Sequence, residues 1–344
     1  MTNDALLLVN ALRDPDGTAT LNADGWTTLI TMARAEQLMG TLAVRLDGQP
    51  VPAGVAAILS DAHANAEYQR RSALWEAECA ARALTDYRGK VVLMKGTAYV
   101  AAGLTAGQGR HIGDLDIMVA HKDLGRVEAL LLAKGGWEWV KDDAYDDAYY
   151  RDHMHELPPM IHKERDRMID VHHTILPLTA RPRPDAGAML ADSKPLPSTP
   201  EGEGLYVFSP ADLATHCAAH LIADGDLAGG LRNLWDFHCL LSEFAELDND
   251  FWVTLPARAH HHQLTEPVYR AARLAHQLYG TNIPSGWRSW NRHDRWFVRR
   301  LTARDGFGRT TRKFTRLIFY IRSHWLRMPP MMLAQHLWTK WRKG

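Results

Sequence analysis

Hydrophobic side chains recur at helical spacing near the start of the chain. Between residues 6 and 42 they repeat every three or four positions, which predicts amphipathic helices. Asp14-Pro15-Asp16-Gly17 predicts a turn between the first two helices, since Asp, Pro and Gly are turn residues. Residues 54–87 contain no proline and a single glycine, at their start, so one long helix is predicted there.

Short apolar runs replace this pattern from residue 90 onward. They predict four strands, at residues 91–94, 114–119, 137–140 and 167–175. An amphipathic helix is predicted from residue 123 to residue 134, just before the helix-ending pair Gly135-Gly136. Strands and helices in this order predict an α+β fold built on a small mixed sheet.

A proline-rich stretch follows the predicted strands. Six prolines lie between residues 177 and 203, which predicts a loop or linker. Ser209-Pro210 then predicts a helix start, because Ser caps the first turn and Pro is favoured at the first helical position. Helical spacing continues to the end of the chain. We therefore predict an N-terminal helical segment (1–86), a core (87–185) and a C-terminal helical domain (186–344).

Charge is balanced over the whole chain but not along it. Lys and Arg number 40, as do Asp and Glu, which excludes a nucleic-acid binder that relies on overall basic charge. Residues 287–344, the basic tail, hold 15 Lys and Arg against 2 Asp and Glu, and 6 of the 12 Trp. This tail predicts contact with RNA or an anionic surface. The alternative, which we favour, is that it packs on the acidic remainder of the chain, with its aromatic residues facing the core.

The cysteine and hydropathy patterns predict a cytoplasmic protein. Three cysteines are too few and too scattered for a disulfide framework or a Cys-x-x-Cys zinc site. No apolar run reaches the roughly 18 residues that a membrane-spanning helix needs. The acidic start of the chain also lacks the basic end of a signal peptide.

Two aspartates lie two positions apart in the second predicted strand. Residues at this spacing share one face of a strand, so Asp114 and Asp116 would present adjacent carboxylates. Such a pair suits Mg²⁺, which takes oxygen ligands and often shares them with substrate phosphates. Asp170, in the strand at 167–175, would supply a third ligand, and these three are the predicted catalytic and metal-binding residues. The simpler alternative is that paired aspartates merely cap a turn at a strand end.

A turn of small residues follows the first predicted strand. Gly96 would let the backbone approach a phosphate, Thr97 would offer a hydroxyl, and Lys95 would offer positive charge at a helix N-terminus. The Walker pattern of P-loop proteins is absent, and an ordinary strand-to-helix turn with a solvated lysine is the alternative. Arg110 is predicted either to bind phosphates bidentately or to be an exposed loop arginine.

Together these elements resemble the nucleotidyltransferase fold of polymerase β and its relatives. The likeness is greatest to the uncharacterised bacterial nucleotidyltransferase family, in which a strand ends in Leu-Lys-Gly, an Arg precedes an Asp-x-Asp strand, and a later strand reads Asp-x-His. The matching residues here are Met94-Lys95-Gly96, Arg110, Asp114-Leu115-Asp116 and Asp170-Val171-His172. His155-Glu156-Leu157-Pro158-Pro159 resembles the family's His-x-x-Pro element, and Leu234-Trp235-Asp236 resembles a later helix. The resemblance covers about residues 90–344.

This resemblance implies a polymerase-β-like core between helical segments and an enzyme that moves a nucleoside monophosphate from an NTP to an acceptor hydroxyl, releasing pyrophosphate. Mg²⁺, or Mn²⁺ in its place, would be the cofactor, and a small molecule, a protein or an RNA would be the acceptor. His155, His172, His216 and His220 would line the cleft. The alternatives are a toxin-like enzyme acting on tRNA, a non-catalytic binding scaffold with the same fold, and a histidine-based metal hydrolase, which the missing zinc-ligand spacing disfavours.

Overall fold

A computed structural model describes residues 4–140, 150–196, 204–289, 291–327 and 338. Helices form the N-terminal part, and the longest confirms the helix predicted for residues 54–87. These helices are α1 (Ala5–Arg13), α2 (Ala23–Ala35), α3 (Met39–Arg45) and α4 (Ala53–Ala83). A short 3-10 helix, Pro15–Thr20, separates α1 from α2 at the position of the predicted turn.

A seven-stranded mixed sheet follows, in which the four predicted strands are confirmed and three more appear. The strands are β1 (Val91–Leu93), β2 (Leu115–Met118), β3 (Trp137–Trp139), β4 (Met160–His162), β5 (Met168–His172), β6 (Lys194–Pro195) and β7 (Leu205–Val207). Their order across the sheet is β3-β4-β5-β2-β1-β7-β6. Strand β2 pairs parallel to β5 and antiparallel to β1, while β1 pairs parallel to β7.

The middle of the sheet is apolar because helices and neighbouring strands cover it. Val92, Leu93 and Ile117 have no exposed surface, as expected for strands that are buried as continuous hydrophobic runs. Helix α5 (Lys95–Ala101) begins directly after β1, and α6 (Leu124–Lys134) follows β2, which confirms the amphipathic helix predicted there. A single hydrophobic core joins the sheet to most of the helices.

The prediction of a loop over residues 177–203 is wrong in part. Helix α7 (Ala186–Asp192) and strand β6 lie within it, whereas residues 197–203 lie outside the described part of the chain. Asp185 caps α7, since its Oδ1 accepts a hydrogen bond of 2.9 Å from the backbone N–H of Ala188. Pro195 is compatible with a strand because β6 is an edge strand, where a missing N–H breaks no central ladder. The sheet therefore draws on residues beyond 185, where the predicted core ends.

Helices make up most of the remaining described chain, as predicted. They are α8 (Pro210–Ala218), α9 (Gly230–Leu247), α10 (Phe251–His261), α11 (Thr265–Tyr279), α12 (Asp294–Leu301) and α13 (Lys313–Arg327). Ser209 caps α8 by accepting a hydrogen bond of 3.3 Å from the backbone N–H of Asp212. None of the described helices combines the length and the hydropathy that crossing a bilayer requires. The three cysteines are free thiols.

The basic tail is anchored by ion pairs to the rest of the chain, as the internal-packing alternative predicts. Arg300 lies 3.3 Å from Asp226, Arg327 lies 3.6 Å from Asp224, and Arg304 pairs with Glu36 near the end of α2. The prediction that the tail's aromatic residues face the core holds for Phe319 but is wrong for others. The exposed aromatic residues among the described part of the tail are Trp296 (36 %), Phe307 (74 %), Phe314 (71 %), Trp325 (42 %) and Trp338 (60 %).

Two glycines fix the N-terminal helices against the loop that leads into β2. Gly40 lies in α3 and Gly109 precedes Arg110, and a Cβ atom on either would overlap the backbone carbonyl group of the other. Gly109 also has a φ of +65°, a conformation that L residues rarely adopt. The close approach of these two backbones therefore requires glycine on both sides.

Gly40→Ala and Gly109→Ala should each destabilise the protein by at least about 2 kcal/mol, because neither backbone can move without disturbing its element. Urea denaturation followed by circular dichroism measures this loss. Gly54→Ala is the matched control, since open space surrounds Gly54 in α4 and alanine favours a helix. Equal stabilities for the three variants would contradict the close-approach explanation.

Candidate active site

Three carboxylates converge on the paired strands β2 and β5. Asp116 on β2 is the register partner of Asp170 on β5, and Asp114 immediately precedes β2. One oxygen atom from each carboxylate lies within 4.8 Å of the other two. Leu115 and Ile117 alternate with the aspartates and are buried in the core. The parallel register of two neighbouring strands thus brings together the three predicted metal ligands.

Two side chains hold Asp116 in place. The Nζ atom of Lys95 lies 2.5 Å from Oδ1 of Asp116, and Nε2 of His172 lies 2.9 Å from the same oxygen. The backbone N–H of Met94 donates a 3.0 Å hydrogen bond to the carbonyl oxygen of Asp116, which brings the start of α5 to β2. Lys95 has a φ of +48°, an uncommon conformation for a residue with a side chain.

These contacts give the aspartates different protonation behaviour. Burial raises the pKa of Asp116, but the charge of Lys95 and the hydrogen bond from His172 outweigh burial and lower that pKa below its usual range. Asp170 has no ion-pair partner within the described chain. Burial, followed by the charges of Asp116 and Asp114, raises the pKa of Asp170 to about 7. One carboxylate is therefore firmly ionised, while its neighbour exchanges a proton near neutral pH.

Glu156 joins the site, although the sequence analysis assigned it no role. Its Oε2 lies 3.4 Å from Nε2 of His172 and 3.7 Å from Nε2 of His155. Burial, followed by the charge of Asp170, raises the pKa of Glu156 to about 8. The signal in the sequence was the His155-Glu156 pair itself, from which only the histidine was selected.

The turn predicted to bind phosphates lies in close contact with an arginine side chain. A Cβ atom at Gly96 would overlap the guanidinium group of Arg110, so the missing side chain makes room for that arginine. The side chain of Arg110 is only 10 % exposed, and its Nε donates a 2.8 Å hydrogen bond to Asp236 of α9. Arg110 is therefore not the exposed loop arginine of the second alternative. Thr97 is also buried, at 1 % exposure. Nucleotide binding by Lys95 and these three residues stays a prediction.

The four predicted cleft histidines divide into two groups. His155 and His172 lie beside the carboxylates with ring centroids 5.2 Å apart, and burial, followed by the charge of His172, lowers the pKa of His155 to about 3. His216 is buried in α8 against Phe208. His220 lies 3.6 Å from Asp224, an acid that the sequence analysis did not select. Of the four, only His172 contacts one of the three aspartates through a described hydrogen bond, whereas His155 reaches Glu156.

The chemistry of the donor set fits a hard divalent cation. Asp114, Asp116 and Asp170 offer only carboxylate oxygens, the ligand type that Mg²⁺ and Mn²⁺ prefer. The mutual repulsion that raises the pKa of Asp170 is the interaction that a bound cation would reverse. His155, Glu156 and His172 form an adjacent mixed cluster whose ligand atoms also lie within 4.8 Å of one another.

Asp170→Asn should change how the stability of the metal-free protein depends on pH. Because its pKa is raised, folded protein keeps a proton on Asp170 that the unfolded chain has already lost. This contribution is complete below the ordinary pKa of Asp and is lost as pH rises through about 7. The unfolding free energy of wild type minus that of Asp170→Asn should therefore fall between about pH 4 and 7, by at most about 1.4 kcal/mol per pH unit.

Urea denaturation in the presence of EDTA measures this difference at each pH. Asp61→Asn is the control for the loss of one carboxylate, because Asp61 is exposed on α4. A pH-independent difference for Asp170→Asn would show that its pKa is not raised.

Comparison with known proteins adds an independent finding. A family model described as uncharacterised nucleotidyltransferase matches residues 22–280, which is more than half of the chain. The matched span includes Lys95, the three clustered aspartates and Asp236. No curated protein and no solved structure matches the chain. Because the family model covers the sheet, the carboxylate cluster and helices on both sides of them, the chain belongs to the family of uncharacterised nucleotidyltransferases.

Proposed function

We propose that this protein is a Mg²⁺-dependent nucleotidyltransferase that moves a nucleoside monophosphate from an NTP to an acceptor hydroxyl. The observation that carries the proposal is the cluster of Asp114, Asp116 and Asp170 on two parallel strands. Buried like charges are costly, and a cation shared with substrate phosphates accounts for that cost. We also propose that the sheet around this cluster corresponds to the polymerase-β-like core.

In this mechanism Asp114, Asp116 and Asp170 would hold Mg²⁺, with Mn²⁺ as the alternative. The bound ions would neutralise phosphate charge and lower the pKa of the acceptor hydroxyl. The acceptor oxygen forms a bond to the α-phosphorus, and the bond from that phosphorus to the β-phosphate bridging oxygen breaks. Pyrophosphate leaves with the electron pair, and the hydroxyl proton passes to a carboxylate of the site.

Asp170 is the carboxylate suited to receive that proton. Without a cation the pKa of Asp170 is about 7, and a bound cation would lower it, so that the carboxylate is ionised and can accept the proton. Asp116 is unsuitable, because Lys95 and His172 stabilise its ionised form. We assign Asp116 to binding the cation and Asp170 to binding and proton transfer. Glu156, 3.4 Å from His172, would place a further carboxyl group beside the site.

Lys95 would serve both the carboxylates and the nucleotide. Its ammonium group keeps Asp116 ionised at 2.5 Å, while a quarter of its side chain remains exposed. A cation at this position would partly offset the repulsion between incoming phosphates and the aspartates. Neutralising Asp116 would leave Lys95 and His172 without their shared partner, so Asp116→Asn is a poor test of chemistry alone.

Asp114→Asn is the sharper test, because Asp114 is exposed and takes part in no described hydrogen bond or ion pair. The variant should fold like wild type and lose nucleotidyl transfer by at least about 100-fold, since a metal ligand contributes several kcal/mol in the transition state. The measurement is incubation with each α-labelled NTP, Mg²⁺ and cell extract, followed by quantification of labelled product. Asp61→Asn serves as the matched control, and full transfer by Asp114→Asn would refute the assignment.

The same assay separates the acceptor classes. Label that ribonuclease removes would support the toxin-like alternative, in which tRNA is the acceptor. Label that protease removes indicates a protein hydroxyl, and label that passes a small-pore filter indicates a small molecule. Absence of any label at all four NTPs would favour the non-catalytic scaffold, although a scaffold has no use for three clustered carboxylates.

A further inference from the structure

A second cluster of metal-binding side chains lies beside the aspartates and differs from them in its donor atoms. His155, Glu156 and His172 each offer one ligand atom, and the three atoms lie within 4.8 Å of one another. Oε2 of Glu156 lies 3.4 Å from Nε2 of His172 and 3.7 Å from Nε2 of His155. An isolated antiparallel bridge joins the backbones at Glu156 and His172, so the fold assembles this set without any short ligand spacing in the sequence.

The separations within this cluster suit a shared metal ion better than hydrogen bonds. Hydrogen bonds between nitrogen and oxygen are about 2.7–3.2 Å long, so both distances from Glu156 are too great. Two ligands bound to one zinc ion at about 2.1 Å lie roughly 3.0–3.4 Å apart. The pair formed by Glu156 and His172 matches this spacing, and the pair formed by Glu156 and His155 exceeds it only slightly.

Two members of the cluster have no other polar partner that would explain their position. Within the described chain, neither ring nitrogen of His155 forms a hydrogen bond, and its Nδ1 is buried. The carboxyl group of Glu156 likewise takes part in no described hydrogen bond, although its side chain is only 20 % exposed. Polar groups with so little access to water are normally paired. A metal ion would be the missing partner of Nε2 of His155 and of the carboxylate.

His172 connects this cluster to the aspartates. It is 1 % exposed, and its Nε2 lies 2.9 Å from Oδ1 of Asp116. A metal bond at Nε2 moves the ring proton to Nδ1, which has no partner in the described chain in either tautomer. Oδ1 of Asp116 would then lose its hydrogen bond from His172, but it lies at the spacing of a further ligand to the same ion.

The donor set favours a different class of metal from the one that suits the aspartates. Imidazole nitrogen together with carboxylate oxygen suits Zn²⁺ and other divalent transition metals, whereas Mg²⁺ prefers oxygen ligands alone. Burial, followed by the charge of His172, lowers the pKa of His155 to about 3. The ring is therefore neutral at neutral pH, which is the form that binds a metal.

We propose that His155, Glu156 and His172 bind a divalent transition-metal ion, represented by Zn²⁺, beside the aspartate cluster, with Asp116 as a ligand that the two sites share. The charge of this ion would offset the repulsion between Glu156 and the neighbouring aspartates. The site does not depend on nucleotidyl transfer, because its donor atoms meet whether or not a nucleotide is bound.

Equilibrium dialysis of the untagged, EDTA-treated protein against Zn²⁺ tests the proposal, with excess Mg²⁺ present to compete for the aspartates. Bound zinc is counted by atomic emission. Wild type should bind one Zn²⁺ per chain that excess Mg²⁺ does not displace. His155→Ala and Glu156→Gln should each weaken this binding by at least about 100-fold, because losing only an outer partner of a metal ligand already costs about 10–100-fold.

Two further variants control for other zinc sites. His63→Ala removes a histidine that is exposed on α4, and it should bind zinc like wild type. Asp114→Asn changes a member of the aspartate cluster alone, and it should stay within a few-fold of wild type. Melting followed by circular dichroism without metal checks that each variant folds. Glu156→Gln preserves the size of the side chain, so it remains informative if His155→Ala does not fold.

Loss of zinc binding in His155→Ala and Glu156→Gln, but not in the controls, would support the site. No binding by wild type, or wild-type binding by either folded variant, would overturn the proposal, and any bound zinc would then belong to others of the 18 histidines. An equally large loss in Asp114→Asn would place the ion on the aspartates and would also overturn it. The nucleotidyltransferase proposal is decided separately, by the formation of labelled product.

Discussion

The parallel pairing of β2 with β5 is the constraint on which the site depends. It sets Asp116 beside Asp170 in register, so that two carboxylates share a partly buried region in which their repulsion is strong. Lys95 and His172 stabilise the ionised form of Asp116. The repulsion between the carboxylates therefore raises the pKa of Asp170 instead. Since strands rather than loops carry both residues, this arrangement is built into the sheet and does not have to be assembled when substrate binds.

Charged side chains lie around the three aspartates. Lys95 lies next to the carboxylates, and Arg110 is paired with Asp236 behind the turn. Each unbalanced group costs stability in the free protein, and under the proposed function a bound cation and nucleotide would offset that cost. Carboxylates and basic side chains therefore lie close together around one surface of the sheet.

All three predicted segments of the chain contribute to this surface. Gln69 of α4 lines a narrow cleft together with Asp114, the aspartates lie on the sheet, and Asp236 lies on α9. The contact between Gly40 and Gly109 holds the first segment against the loop before β2. In contrast, the exposed aromatic residues of the basic tail, such as Phe314, lie outside the residues that the family model covers. The tail's arginines support the fold through Asp224, Asp226 and Glu36 instead.

The sequence by itself determined the helices, four strands and the three aspartates. Each of these depends on a local pattern, such as the two-residue repeat that aligns Asp114 with Asp116, and local patterns are written directly in the sequence. Strands β4, β6 and β7 were missed, and β6 shows one reason: a proline-rich stretch becomes a strand only when a sheet edge is there to receive it.

Only the tertiary structure decided which charges meet. The position of Arg110 before the Asp-x-Asp strand did not reveal its partner, yet folding gives it the buried carboxylate of Asp236. Glu156 became part of the site through its approach to His172, a residue sixteen positions away, and Gly96 proved to make room for an arginine. Electrostatic energy depends on distance and burial, and long-range packing sets both. The sequence therefore identified the reactive groups, whereas the fold determined their ion pairs and protonation states.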